Sequence, residues 1–565
     1  MDSPHDSHTE VTLSSGQRPK SIGRFNLANH FQKRGLLIAV NCAAGLSILF
    51  FGYGEGMMGG VNNAQDYIQV MKLGYTKIED GEPTPVITNT LLQGGIVSVY
   101  YLGTLVGALA GGWIGERIGR IRTIALGAAW GVLGASLQCS AQNHNWMICA
   151  RLINGWGTGI LNSIVPVWAT ETATHTSRGQ FIAIEFTLNI FGVVLAYWME
   201  YGLSYIDGGR SPFRWRFPVG FQIILLLLLF AIIWFFPESP RWLVKVGRDE
   251  EARWILGRLR GEHGDDEGVA DAEFQEIKAV NAMEKSDQYP TSYLSMLIGR
   301  GSGKLHIGRR VQLVIWLQII QEWVGIAGVT IYAPTIFRLS GFNANKSQWI
   351  SGLNNIFYMF STLICVFTLD RIGRRATLFW GSAAQGIAMF LCGGFTRIVL
   401  DASANGDQSR ANSFGIAAAA MIFIFTFVFG ATWLTVPWLY PAEIFPLAVR
   451  AKGNAWGVVG WSIGNGWLTL LLPVCFAKIE EKTFYLFGIA NALSIPIVWA
   501  LYPESNQRTL EEMDLLFAAD QPWNWTAEAN YAKLKAEHPE IVHHAKKGDN
   551  VMSSMDSQRS MVESA

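Results

Sequence analysis

Apolar runs of about twenty residues, each long enough to cross a bilayer as a helix, alternate along this chain with short polar turns. Twelve such runs can be marked, near 36–58, 91–113, 123–141, 147–168, 180–201, 217–236, 310–333, 347–369, 376–398, 413–440, 454–477 and 483–502. They fall into two sets of six. Between the sets the chain is far more charged, with Arg248-Asp249-Glu250-Glu251 and Asp265-Asp266-Glu267, and it carries helical patterning around 249–260 and 271–284. The pattern predicts an all-α membrane protein of twelve transmembrane helices in two six-helix pseudo-symmetric halves, 36–236 and 310–502. A loop of short helices over 237–309 joins the halves, and polar tails cover 1–35 and 503–565.

The turns between runs repeat as well. Gly112-Trp-Ile-Gly-Glu-Arg-Ile-Gly-Arg120 is echoed by Leu369-Asp-Arg-Ile-Gly-Arg-Arg375. Glu171 and Arg178 recur at the same seven-residue spacing as Glu443 and Arg450, and Pro237-Glu238-Ser239 recurs as Pro503-Glu504-Ser505. Charged clusters duplicated between apolar segments are the mark of two similar halves packed together in a membrane. Gly119 and Gly373 supply the freedom for tight reversals. The cations beside them can meet Glu171, Glu443 and helix C-terminal carbonyls. Glu116, Arg117, Arg120, Glu171, Arg178, Asp370, Arg371, Arg374, Arg375, Glu443 and Arg450 are therefore expected to form a gate that latches the halves and releases as they move. The blander reading is a topology signal alone.

Composition agrees with a membrane protein: half of the residues are hydrophobic, only 16% are charged, and the mean hydropathy is +0.22, where a soluble domain carries nearer a quarter charged residues. The 44 basic and 44 acidic groups balance, so nothing points to nucleic acid. Their placement carries the information instead, since Lys and Arg gather in loops on the cytoplasmic side. Setting the clustered Arg residues of the repeated turns inside leaves both termini cytoplasmic. The first 35 residues lack the apolar core of a cleavable signal peptide, so the first span is expected to serve as the targeting signal. Six cysteines lie in or beside apolar runs without metal-ligand spacing and read as packing residues. No metal, cofactor or enzyme is expected: no phosphate loop, metal set or nucleophile–base pair stands out.

Several ordered motifs resemble the major facilitator superfamily, specifically its sugar porter family in the style of fungal members. They are Pro237-Glu-Ser-Pro-Arg-Trp-Leu243, Pro437-Trp-Leu-Tyr-Pro-Ala-Glu-Ile-Phe-Pro446, Arg151 with Gly155, Gly157 and Gly159, and Pro503-Glu-Ser505 followed by Arg508-Thr-Leu-Glu-Glu512. The resemblance covers roughly 36–517. It implies a sugar site between the halves, near the bilayer midplane, where amides and aromatic walls suit hydroxyl rims and C–H faces. Gln321-Glu-Trp-Val-Gly-Ile-Ala327 lies over the family's Gln-Gln-x-x-Gly-x-Asn pattern, and Tyr332 over the second of its paired tyrosines. By that resemblance the candidate substrate contacts are Gln318, Gln321, Glu322, Tyr332, Asn354, Asn355, Tyr358 and Trp438. A membrane Gln can also simply bond a neighbouring helix.

The departures from the family pattern are informative. Its second Gln is here Glu322 and its Asn is Ala327; the fifth-span Gln is Phe186, preceded by Glu185; the eighth-span Asn is Tyr358; the eleventh-span Asn is Trp461, with Asn465 one turn on. In the first span the family's proton-carrying Asp falls on Gly54, and the acid stands one place later at Glu55, turned by about 100° around the helix. Glu55 and Glu185 are the candidate proton-coupling groups, because an intramembrane carboxylate is costly and functional by default. Glu322 can accept two sugar hydroxyls. The expected function is a monomeric plasma-membrane carrier of a hexose or pentose, working by alternating access and coupled to protons. An uncoupled facilitator, favoured by Gly54, and a non-transporting sugar sensor remain as alternatives.

Overall fold

The computed structural model of the protein describes residues 19, 22–23, 25–79, 82–173, 178–261, 268–285, 292–301, 305–446, 449–506, 508, 510–518 and 521–537. Each of the twelve apolar runs lies on a helix of 20 residues or more. In chain order the spans are Lys33–Val61, Thr90–Ile118, Arg120–Cys139, His144–Thr172, Arg178–Leu203, Phe213–Phe235, Ile307–Ile331, Ala344–Ile372, Arg374–Ala404, Gln408–Ile444, Arg450–Lys478 and Lys482–Leu501, called spans 1 to 12 below. Among the described residues nine helices are long and apolar enough to cross a membrane by length and composition.

The packing is duplicated along with the sequence. Span 1 lies against spans 5 and 6, and span 4 against 2 and 3, which itself meets 6; in the second half, span 7 lies against 11 and 12, and span 10 against 8 and 9, which itself meets 12. The halves touch through two equivalent seams, span 2 with span 11 and span 5 with span 8. This is the pattern that a pseudo-two-fold axis produces.

Close approach of backbones sets these pairings. With lipid outside offering no hydrophobic drive between helices, small residues let spans pack tightly enough for dispersion to hold them. Along span 1, a Cβ at Gly52 would collide with the carbonyl oxygen of Asn189 in span 5, and one at Gly56 would come within 2.9 Å of the Cα of Val193. Glycines 103 and 107 of span 2 and 155 and 159 of span 4 make the same kind of contact, each lying against the other helix's backbone.

The charged linker forms helices Pro240–Lys245, Asp249–Arg260, Val269–Lys285 and Tyr293–Ile298, the middle two lying where helical patterning was read. Three features have no counterpart in the sequence reading: a hairpin of β1 (Gly74–Glu79) and β2 (Glu82–Ile87) between spans 1 and 2, and two tail helices, Leu510–Phe517 and Asn524–Glu537. The first tail helix is anchored by Asp514, whose carboxylate meets the fully buried Arg310 at 2.7 Å.

The seam between spans 1 and 5 gives a stability contrast within one helix. Gly52→Ala should overpack it and cost about 1–3 kcal/mol, whereas Gly54→Ala meets nothing nearer than the Tyr100 hydroxyl at 3.6 Å and should be neutral or stabilise by up to about 1 kcal/mol. Thermal unfolding of the detergent-solubilised protein separates the two; equal midpoints would remove the close-contact account.

Candidate functional site

Two breaks in otherwise regular helices shape the centre of the bundle. Span 7 contains a π-turn over Glu322–Ile326, made possible by Gly325 at φ 121°, and such turns gather at functional sites. The carbonyl of Val324 that the break exposes accepts a hydrogen bond from Asn491 of span 12 at 2.9 Å. Span 10 breaks between Ala431 and Val436. Gln321 donates through Nε2 to the carbonyls of Trp433 (2.9 Å) and Leu434 (3.0 Å), and Gln318 donates to that of Pro437 (3.1 Å). Irregular backbone survives at membrane depth only where such partners or a cavity satisfy it.

Beside these breaks lies a central cavity lined by residues of both halves. Spans 1, 2 and 5 contribute Phe51, Glu55, Tyr101, Phe186, Asn189 and Ile190; the other twelve of its eighteen lining residues come from spans 7, 8, 10 and 11. Rings close its walls across the two halves: Trp461 meets Phe51 at 5.1 Å and Tyr101 at 5.2 Å edge to face, and Phe186 lies tilted 5.6 Å from Trp438. Glu322 and Asn465 both line the cavity. The Oε1 of Gln321 and Nδ2 of Asn189 are buried without a protein partner, leaving an acceptor and a donor free for a polar guest.

Five of the sequence candidates line this cavity: Gln321, Glu322, Tyr358, Trp438 and Glu55. The others stand elsewhere. Gln318 is spent on span 10, Tyr332 donates to the carbonyl of Thr469 at 3.0 Å, and Asn354 donates to Thr426 at 3.2 Å. Asn355 and Glu185 are buried outside the lining. Phe51, Tyr101, Asn189 and Thr330 line the cavity and were not singled out from the sequence. Phe51 carried a signal, four residues before Glu55 on the same helix face; so did Asn189, an amide one turn beyond Phe186.

The duplicated clusters at the charged end differ from the expected latch: they brace each half internally. Arg120 holds Glu171 through two bonds of 2.9 Å, and the backbone N–H groups of Arg120 and Ile121 donate to Glu238 (2.8 and 3.2 Å). In the second half Arg374 holds Glu443 at 2.5 Å, and the N–H groups of Arg374 and Arg375 donate to Glu504 (2.9 and 3.0 Å). Each Pro-Glu-Ser carboxylate thus caps the N-terminus of span 3 or 9, where the helix dipole favours an anion. Even the lesser contact repeats, Trp168 donating to the carbonyl of Pro237 and Tyr440 to that of Pro503. Gly119 and Gly373 make the turns at φ 96° and 91°.

Glu116 does cross between halves, pairing with Lys452 of span 11 at 3.3 Å and with Lys245 of the linker at 3.6 Å. Arg117 stacks on Trp113, Arg371 is exposed, Arg375 donates to the carbonyl of Trp499, and Arg450 donates weakly to that of Phe445. The side chains of Arg178 and Asp370 lie outside the described residues. Above this end, spans 2 and 11 stay together through Thr104 and Ser462 (2.8 Å), and spans 5 and 8 through Thr187 and Thr362 (2.9 Å).

Residues 39–517 match the family described as "Sugar (and other) transporter", and the chain belongs to that family, the sugar porters of the major facilitator superfamily. It is 33% identical over 478 residues to the MFS-type transporter oryC of Aspergillus oryzae, covering 84% of each chain. It is 30% identical over 502 residues to the sugar transporter STL1 of Saccharomyces cerevisiae, covering 87% of this chain and 84% of the relative. Its fold matches that of the proton:xylose symporter XylE of E. coli with a TM-score of 0.68 at 23% identity, covering 85% of this chain and 99% of the other. The protein is a membrane-spanning sugar transporter with the major facilitator fold.

The pair that joins the halves generates a test. Glu116→Lys and Lys452→Glu should each open the charged end, raising the rate at which an impermeant thiol reagent applied from that side reaches Ala327→Cys by about 2–5-fold, as expected for losing a partly exposed pair of up to about 1 kcal/mol. The double swap should restore the slow rate. A swap that behaves as the sum of the two singles would show that the pair holds nothing.

Proposed function

We propose that the protein is a plasma-membrane monosaccharide importer that works by alternating access and couples uptake to proton entry through Glu55. The observation that carries this reading is the central cavity: it lies where spans of both halves meet, it offers amides, phenols and indoles to a sugar, and Glu55 opens into it. Of the two first-half acids Glu55 and Glu185, only Glu55 lines the cavity that a guest would enter. The names of the relatives support the substrate class, one being a sugar transporter and one a proton:xylose symporter. Gln321 supplies an acceptor, Asn189 a donor, Glu322 a strong acceptor for sugar hydroxyls, and Trp438 and Trp461 apolar faces. The Arg-rich turns at one end of the bundle support a cytoplasmic position for both termini, and the carrier acts as a monomer.

An uncoupled facilitator is the second reading, and Gly54 favours it. Buried Arg151 bonds only to the carbonyls of Ile96 and Val97 (3.3 Å each) and stacks on Tyr100, with no carboxylate partner among the described residues.

Uptake of labelled hexoses and pentoses in a carrier-free host, with and without a protonophore, tests the reading. Accumulation that collapses with the protonophore is expected, and uptake indifferent to both protonophore and external pH would leave the facilitator. Gln321→Ala and Trp438→Ala should each raise KM about 10-fold or more, equivalent to about 1.4 kcal/mol or more, with the protein still delivered to the membrane. Unchanged KM in both would move the sugar out of this cavity.

A further inference from the structure

The cavity holds two acids and no base. Its lining includes no Lys, Arg or His, yet it receives Glu55 from span 1 and Glu322 from span 7, the helices that the pseudo-two-fold exchanges. Two phenols accompany them in the lining, Tyr101 from span 2 and Tyr358 from span 8, again an exchanged pair. The buried Arg151 of span 4 is engaged by Tyr100 and backbone carbonyls. The other packed elements add amides, Asn189 of span 5 and Asn465 of span 11, and Gln222 of span 6 near Gly54; Glu185 stands outside the lining. Aromatic rings from spans 1, 2, 5, 8, 10 and 11 wall the space. Two carboxylates sharing one such site do not both ionise, because their repulsion adds to the cost of desolvation.

We propose that Glu55 and Glu322 hold one proton between them, so that the coupling acid is a pair with one member in each half of the carrier. This rests on the proton-coupled reading above and gives Glu322 a role beyond accepting a sugar hydroxyl. The pair also explains how movement reaches the proton. Rocking that opens the cavity to either side hydrates the carboxyls and parts them, which removes the reason for sharing. Closure around a sugar brings them back together and restores it. Proton loading is thereby tied to closure without any residue sensing the membrane faces separately.

The test uses the full-length protein in liposomes, reading sugar accumulation driven by a pH gradient, sugar-driven proton flux by an internal dye, and sugar counterflow, which needs no coupling. Glu55→Gln, Glu322→Gln and the double variant are compared, with Glu322→Asp as the conservative substitution. The expected result is that either Gln variant loses accumulation and proton flux at least 10-fold more than it loses counterflow, and that the double variant is no worse than the singles. Glu322→Asp should keep proton flux with a shifted pH profile. If Glu322→Gln still accumulates sugar with the wild-type pH profile and only its KM rises, the pair is overturned while coupling through Glu55 stands. If the wild type itself shows no proton flux, the coupled reading fails first and takes the pair with it. Should Glu322→Gln lose counterflow too, the Asp variant decides: a pH profile identical to wild type overturns the proposal. Inhibition of uptake by glucosamine at far lower concentration than by glucose at neutral pH would put the countercharge on the guest, and would also overturn it.

Discussion

Charge removed from water inside a protein costs several kcal/mol per ion unless a partner and hydrogen bonds repay it, and the arrangement of this carrier follows from where that repayment is made. At the charged end it is made locally. Arg120 and Arg374, both buried, find a carboxylate one helix away, and Glu238 and Glu504 find the free N–H groups of a helix terminus. Nothing in these braces crosses between halves, so each half can move as a body without breaking them. Across the halves the described residues make no buried ion pair: the contacts are one partly exposed ion pair, hydroxyl pairs along the two seams, the Tyr197 hydroxyl on the carbonyl of Thr330, and the rings of the cavity wall. Strong bonds within bodies and weak bonds between them are what a rocking machine requires.

The duplication is faithful at the charged end and fails at the centre. The braces repeat down to the Trp168 and Tyr440 contacts with the two Pro-Glu-Ser carbonyls. The cavity leans toward the second half, where both spans 7 and 10 are broken. Each break exposes carbonyls, and Gln318, Gln321 and Asn491 exist in part to satisfy them. Gln321 does this with its N–H groups and keeps its oxygen for the cavity, so the residue that stabilises the break also presents the binding group. Span 4, opposite number of span 10, contributes no lining residue.

The spans, the reversals at Gly119 and Gly373, the linker helices and the doubled charge clusters were legible in the sequence, because apolar run length and repetition survive without knowledge of contacts. What the clusters join was not legible. Motif spacing places Glu171 near Arg120, but only the packing of span 4 on span 3 shows that both belong to one body. Side-chain direction was lost where helices break. Counting from Gln321 to Tyr332 passes through the π-turn at Glu322–Ile326, whose wider turn rotates every later residue relative to a regular helix; Tyr332 consequently faces span 11. In unbroken spans the error is a single step: Asn354 and Asn355 flank no cavity, while Tyr358, one turn on, does. The hairpin between spans 1 and 2 left no apolar run to find.

The one-residue displacement of the first-span acid ties these threads together. At position 54 a side chain would face Tyr100 and Gln222 in its own half, the side on which Arg151 is stacked over Tyr100. An acid there would be answered by a cation of the same body. At position 55 the helix turns the carboxyl by about 100°, away from that pocket and into the cavity between the halves, where the other charged group is Glu322 of span 7. If uptake is driven by protons, the charge that must be balanced has therefore moved from inside one rigid body to the gap between two. A pair within one body keeps its spacing as the carrier rocks and can respond only to water or to the guest. A pair across the gap changes spacing with every cycle, and its hold on a proton changes with it. The same step along the helix also strips Arg151 of an acidic partner, which explains why that guanidinium is satisfied by backbone carbonyls and a ring face alone.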